Sequence, residues 1–158
     1  MPLPSAFPYI APASAPPHAS APIVIASYAA QFLESAQIRS ALFPTIVESS
    51  IKDVFTFDTN TIDVLALGGS QAAQEGSSGG GVASADGELV GMITTSTTEG
   101  VTSTRSLNAI TLSYVRAEYA REAGSPLDAL LAEPTAEAVA DFAPHLPDLE
   151  SVLTARLH

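Results

Sequence analysis

The chain has 158 residues, 46% of them hydrophobic, no cysteine, and a formal charge of −11 from 17 acidic against six basic side chains. That length buries the core of one ordinary domain with room for an appendage, and the lack of cysteine excludes a disulfide scaffold and any thiolate metal site. Six basic residues are too few for a phosphate-gripping face, which argues against a nucleic-acid partner, and no apolar run reaches the roughly 20 residues that span a bilayer.

Residues 1–22 hold seven of the twelve prolines, interleaved with Ala and Ser. Residues 1–21 are therefore expected to be an extended linker or loop, and His18 lies inside it. The Met-Pro-Leu-Pro start lacks the basic region and continuous apolar core of a signal peptide, so an export signal is expected only upstream of this chain. The compartment stays open, extracytoplasmic or secreted if such a signal exists. Residues 22–28 are β-branched and bounded by proline, as a strand would be. After a mixed segment, 29–44, further strands are expected over 41–48, 51–57 and 62–67, the first demoted to an edge or loop by Pro44. Val54, Phe55, Thr56 and Phe57 alternate as in a half-buried strand. Asp58, Thr59 and Asn60 give the turn chemistry that follows.

Nine of the ten glycines fall between residues 68 and 100, interrupted by strand-like apolar runs. Among them stands Glu75-Gly76-Ser77-Ser78-Gly79-Gly80-Gly81-Val82. A serine hydroxyl becomes a nucleophile when a base takes its proton and backbone N–H groups receive the charge developing on the attacked carbonyl. A loop that aims two N–H groups at one point must bend sharply, and glycine permits such bends. Asp86-Gly87, between the apolar runs 82–84 and 88–95, is a hairpin signal. Residues 105–123 carry Leu107, Ile110, Tyr114 and Tyr119 near a helical period, with Gly124-Ser125-Pro126 as a stop. Residues 126–158 predict two or three short helices broken by Pro134, Pro144 and Pro147. There is no internal repeat, no cofactor motif and no metal-ligating motif.

Glycine bracket plus hairpin resembles the nucleophile region of the trypsin-like (chymotrypsin-fold) serine peptidases, over roughly residues 20–120 and closest to bacterial domains of that family. The resemblance implies a mainly β chain: an antiparallel six-stranded β-barrel, one of the usual two, over 22–104. A C-terminal helix over 105–124 would pack on it, and a helical tail would occupy 125–158. It makes Ser78 the nucleophile, the N–H groups of Gly76 and Ser78 the oxyanion hole, and Thr94, Thr95 and Ser96 the segment that pairs with substrate backbone. Ala72, six residues before the serine, takes the place of the primary-pocket floor. A neutral residue there lacks the carboxylate that selects Lys or Arg, which favours small or medium apolar side chains. Ser77 stands where the family has Asp or Asn, and Gly81 where Pro is common.

Other readings of the glycines remain. Gly76-x-Ser78-x-Gly80 also fits the nucleophile elbow of α/β-hydrolases, but Gly79-Gly80-Gly81-Val82 is a poor helix start. No Gly-Lys-Ser/Thr or Gly-x-Gly-x-x-Gly supports a phosphate loop, and a Gly/Ser connection without chemistry is the plain alternative. The family draws its base and orienting acid from the first barrel, upstream of the serine. Here that leaves His18 with Asp53, Asp58 and Asp63, and His18 has a linker's context, while His145 and His158 follow the serine. The expectation is a C-terminal part of a serine endopeptidase, inert alone, whose His and Asp lie on a missing N-terminal barrel. Its other partner would be a peptide or protein substrate. A catalytically inactive trypsin-like peptide-binding module is the alternative.

Overall fold

The computed structural model describes residues 9–41, 43–57 and 60–156. The chain divides into two compact units, residues 1–117 and 118–158. The first holds seven strands: β1 (Pro22–Ser27), β2 (Thr45–Ser50), β3 (Asp53–Phe55), β4 (Val64–Ala66), β5 (Gly81–Ser84), β6 (Leu89–Ser96) and β7 (Leu107–Thr111). A short helix, α1 (Ser35–Ala41), lies between β1 and β2. All seven join one antiparallel sheet in the order β2-β1-β5-β6-β7-β4-β3.

The sheet's outermost strands, β2 and β3, are consecutive in the chain, separated only by Ile51 and Lys52. At that point the pairing partner changes. Ile51 exchanges backbone hydrogen bonds with Ser20 and Ala21, and the Lys52 N–H donates to Ala66 on β4. The chain thus turns one edge of the sheet toward the other, and the sheet curls into a half-barrel with helices following it. Seven strands stand where six were expected because Leu107–Thr111, read as part of a helix, forms the seventh. The strand that Pro44 was expected to demote to an edge or loop is an edge strand, β2, and Pro44 precedes its first residue, where the missing N–H costs no ladder bond.

Two expectations need correction. Residues 107–111 form a strand, not the start of a helix. The spacing of Leu107, Ile110 and Tyr114 suits a helix, but Leu107, Ala109 and Thr111 alternate as buried residues between β6 and β4, and the helix α2 (Leu112–Ala123) begins only after them. The described part of the proline-rich segment is also no free linker. Pro12 bridges Leu89, Ala13 is buried and donates to the Leu89 carbonyl, and the Arg116 guanidinium donates to the carbonyls of Pro12 and Ala13.

The core is aliphatic: Ile23, Ile25, Ile51, Leu65, Leu67, Val82, Val90, Ile93 and Leu107, with Ala13, Ala72, Ala73 and Ala109 filling narrower places. Period-two burial along β1 and β7 puts one face of each strand into it. A Cβ on Gly91 would lie 3.0 Å from the Ile110 carbonyl oxygen and 3.3 Å from Leu65 Cδ1, so glycine is what lets β6 and β7 close over Leu65. Outside the core, Tyr28, Phe32, Leu33, Ile38, Phe43 and Ile46, all within residues 28–46, leave their side chains exposed.

The second unit consists of the end of α2 and three short helices, α3 (Leu127–Ala132), α4 (Thr135–Phe142) and α5 (Leu146–Thr154). Proline sets their starts: Pro126 and Pro134 precede α3 and α4, and Pro147 occupies the first turn of α5, where its missing N–H is harmless. Leu130, Leu131, Val139, Phe142, Leu146, Leu149, Val152 and Leu153 are exposed. No helix among the described residues is long and apolar enough to cross a membrane.

The contrast between the units makes a stability prediction. Leu65 is fully buried, so Leu65→Ala should cost about 3 kcal/mol in urea unfolding. Leu153→Ala, at an exposed position, should stay within about 0.5 kcal/mol. Equal losses at the two positions would contradict the burial described.

Candidate functional site

The connection between β4 and β5 carries the glycine bracket. These strands are not neighbours, since β7 and β6 lie between them. The connection must therefore cross the end of the sheet, and it does so at the end where β1 leaves, with Ala26 opposite Gly81. Two tight turns shape it, closed by the Ala73 N–H on the Ser70 carbonyl and the Ser77 N–H on the Gln74 carbonyl. The Gly80 N–H then reaches back to the Ser77 carbonyl, and the Gly79 N–H and Ile93 carbonyl join at 2.8 Å.

Three glycines are required here for distinct reasons. Gly76 has φ +89° and leaves no room for a side chain, because a Cβ would sit 2.6 Å from the Tyr28 carbonyl oxygen. Gly80 has ordinary φ but the same constraint, at 2.7 Å from the Ala26 carbonyl oxygen. Gly79 has φ +83° with open space around it. The loop is thus pressed onto the end of β1 through Gly76 and Gly80.

That seating sorts the two serines. Ser77 is 1% exposed, and its hydroxyl meets that of Ser27 on β1 at 3.3 Å. Ser78 is exposed, and its hydroxyl donates to the Thr94 carbonyl at 3.4 Å. The described residues offer no acceptor to the Gly76 or Ser78 N–H groups. Ser78 lies in a loop and not at the first turn of a helix, unlike the serine of a nucleophile elbow.

Thr94, Thr95 and Ser96 form the end of β6. Thr95 and Ser96 pair with Asn108 and Leu107 of β7, but β5 pairs with β6 only as far as Met92, opposite Gly81. On the β5 side this end of β6 is therefore without a strand neighbour, beside Ser78. Ala72 is 0% exposed, so the residue expected at a pocket floor has no open surface. Next to it, the Ala73 carbonyl accepts from the buried guanidinium of Arg105, which also bonds Gln31 and Gly100. Arg105 was not singled out in the sequence, where it stands at the start of the segment 105–123 read as a helix.

Within the first unit the one described histidine, His18, does not approach the serine. His18 is exposed, bonds the carbonyl of Ala19, and lines a cavity with Ser84, Ala85 and Asp86 at the hairpin turn. That turn is the opposite end of β5 from Gly81. His145 lies in the second unit beside Phe142, and His158 and Asp58 lie outside the described residues. Asp53 is exposed and accepts from the Val54 N–H. Asp63 is buried and its carboxylate accepts from the Phe57 N–H and the hydroxyls of Thr56 and Thr61, so it ties residues 56–57 to Thr61. Among the described residues no group of His, Asp or Glu could hold a metal ion.

The steric argument orders three substitutions. Gly79→Ala should cost about 1–2 kcal/mol, the cost of a left-handed backbone alone. Gly76→Ala should cost more because it adds the clash with the Tyr28 carbonyl, and Gly80→Ala should be destabilising despite its ordinary φ. Thermal unfolding of the three variants checks the order. A Gly76→Ala chain as stable as the parent would mean that the loop is not seated on β1.

No family model and no curated protein matches the sequence. Among solved structures, the chain is similar to Rv3671c from M. tuberculosis, a trypsin-like serine protease whose crystal structure is of a serine-to-alanine mutant in an inactive form. Identity is 15%, the TM-score is 0.53, and the likeness covers 77% of this chain and 57% of that one. The chain thus spans little more than half the length of its structural neighbour, and what the two share is a distant trypsin-like fold.

Proposed function

We propose that this chain is the nucleophile-bearing part of a trypsin-like serine endopeptidase, with its general base and orienting acid on an N-terminal barrel that is not among these residues. The observation that carries the reading is Ser78: an exposed hydroxyl on a glycine-seated loop, flanked by two N–H groups that meet no acceptor among the described residues. Counting β2 and β3 as one bent strand gives the six strands of a trypsin-like barrel, in support of the same fold.

In the reaction, a base takes the Ser78 hydroxyl proton while the oxygen attacks the scissile carbonyl. The Gly76 and Ser78 N–H groups donate to the oxyanion of the tetrahedral intermediate. Collapse expels the amine, which receives the proton from the base, and leaves an acyl ester on Ser78 that water hydrolyses by the same steps. The free side of Thr94, Thr95 and Ser96 would hold the substrate as an added strand. Exposed Tyr28, Phe32, Leu33 and Ile46, around the exit of β1 onto which the loop is seated, would be covered by the N-terminal barrel.

The second reading, a catalytically inactive module that binds extended peptides, is favoured by Ser77. It places a hydroxyl where the family has Asp or Asn and pairs with Ser27, leaving no carboxylate to answer a buried amino terminus.

A fluorophosphonate separates the two. In subtilisin, losing the base alone costs on the order of 10⁶ in turnover. The 158-residue chain should therefore label at neutral pH at least about 10³-fold more slowly than the same chain joined to its N-terminal barrel. Ser78→Ala should abolish labelling and Ser77→Ala should not. Equal rates with and without the barrel would place the base within this chain and end the missing-half account. Peptide binding by the longer chain without any labelling would favour the inactive module.

A further inference from the structure

Arg105 is 5% exposed, and among the described residues its guanidinium has no carboxylate partner. Nε and Nη2 fork onto the Gly100 carbonyl at 3.1 and 2.8 Å, while Nη1 donates to the Ala73 carbonyl at 2.8 Å and to Gln31 Oε1 at 2.6 Å. The Phe32 ring lies 5.8 Å from its central carbon, and Gln31 Nε2 reaches the Thr98 carbonyl. One side chain thus ties together residues 31–32, 73 and 98–100. A second contact lies close by in the chain: a Cβ on Gly69 would lie 2.4 Å from the Ser103 carbonyl, so the backbones of 69 and 103 touch without a spacer.

We propose that Arg105 is a positioning residue that makes the outer segment 97–105 and the turn 70–79 move as one body, so that the outer segment sets the direction of the Gly76 and Ser78 N–H groups. The proposal deepens the reading of those groups as an oxyanion hole and rests on it. The physical case is geometric. Ala73 is bonded to Ser70, and Gln74 receives the Ser77 N–H, so a displacement of the Ala73 carbonyl passes through two short turns to the peptide units on either side of Ser77. A buried cation is costly unless its donors are satisfied. The guanidinium therefore resists leaving any one of its three acceptors without the others. An ammonium cannot replace it, because a point donor cannot fork onto Gly100 and reach Ala73 and Gln31 together.

Hydrogen exchange on the full 158-residue chain tests this without depending on catalysis. In Arg105→Ala, amides in 98–106 and in 70–79 should lose protection together, by about tenfold or more, while Ile25, Val82 and Ala109 keep theirs. Ethylguanidinium at about 50 mM should restore both segments at once, by mass action at the vacated site, and sodium chloride at the same concentration should restore neither. Arg116→Ala, the loss of a half-buried arginine, should loosen only the segment near Pro12 and Ala13. Exposure of one segment without the other, or rescue of neither by ethylguanidinium, would overturn the proposal. Should Arg105→Ala fail to fold, Gln31→Ala removes one acceptor and leaves two. It should give a smaller joint loss, and a loss confined to 98–106 would count against the clamp. Joint loss and rescue in a chain whose Ser78 never labels, even with the N-terminal barrel, would keep the clamp and remove the catalytic reading.

Discussion

The structure depends on the absence of space between the β4–β5 connection and the end of β1. Gly76 and Gly80 each bring their Cα so near a carbonyl of residues 26–28 that a methyl group could not fit. This contact buries Ser77 against Ser27 and leaves Ser78 exposed, and the Gly76 and Ser78 N–H groups have no acceptor among the described residues. The half-barrel provides the rigid end on which that seating can occur. β5 and β6 start and finish at different levels, and the uncovered end of β6 lies beside the serine because of that stagger.

How much of this was legible in the sequence follows from where the determinants are local. The glycine bracket and Asp86-Gly87 are backbone requirements, written in residue types, and both occur where expected: Gly87 has φ +82° in the β5–β6 turn. β1 was legible because proline and β-branched residues agree. Residues 107–111 were not, because Leu107, Ile110 and Tyr114 satisfy a helical period equally well, and only pairing with β6 and β4 decides between them. The same holds for Pro12 and Ala13, whose anchor, Arg116, is a hundred residues away in the chain. Arg105 was invisible for a related reason. Its partners at 31, 73 and 100 converge only in three dimensions, and three of its four hydrogen bonds go to backbone carbonyls, which carry no sequence signature.

The second unit poses a different physical problem. Its helices begin where proline dictates, yet Leu146, Leu149, Val152 and Leu153 leave a leucine-rich stripe of α5 in solvent. Helical packing normally derives most of its stability from burying such a stripe, so within its own unit α5 gains little. The first unit is the reverse, with a buried aliphatic core, and six of its exposed large apolar side chains lie in the 28–46 stretch that follows β1.

The central claim is that the Gly76 and Ser78 N–H groups converge on the point where an oxyanion on Ser78 would sit. At about pH 10 hydroxide can take the place of a missing base, so prolonged treatment of the 158-residue chain with a fluorophosphonate should modify Ser78 slowly. A crystal structure of that adduct is the most direct test. The account predicts the phosphonyl oxygen at about 2.7–3.1 Å from both nitrogens. An adduct on Ser78 whose oxygen lies out of reach of both N–H groups, or modification of other hydroxyls in preference to Ser78, would contradict it.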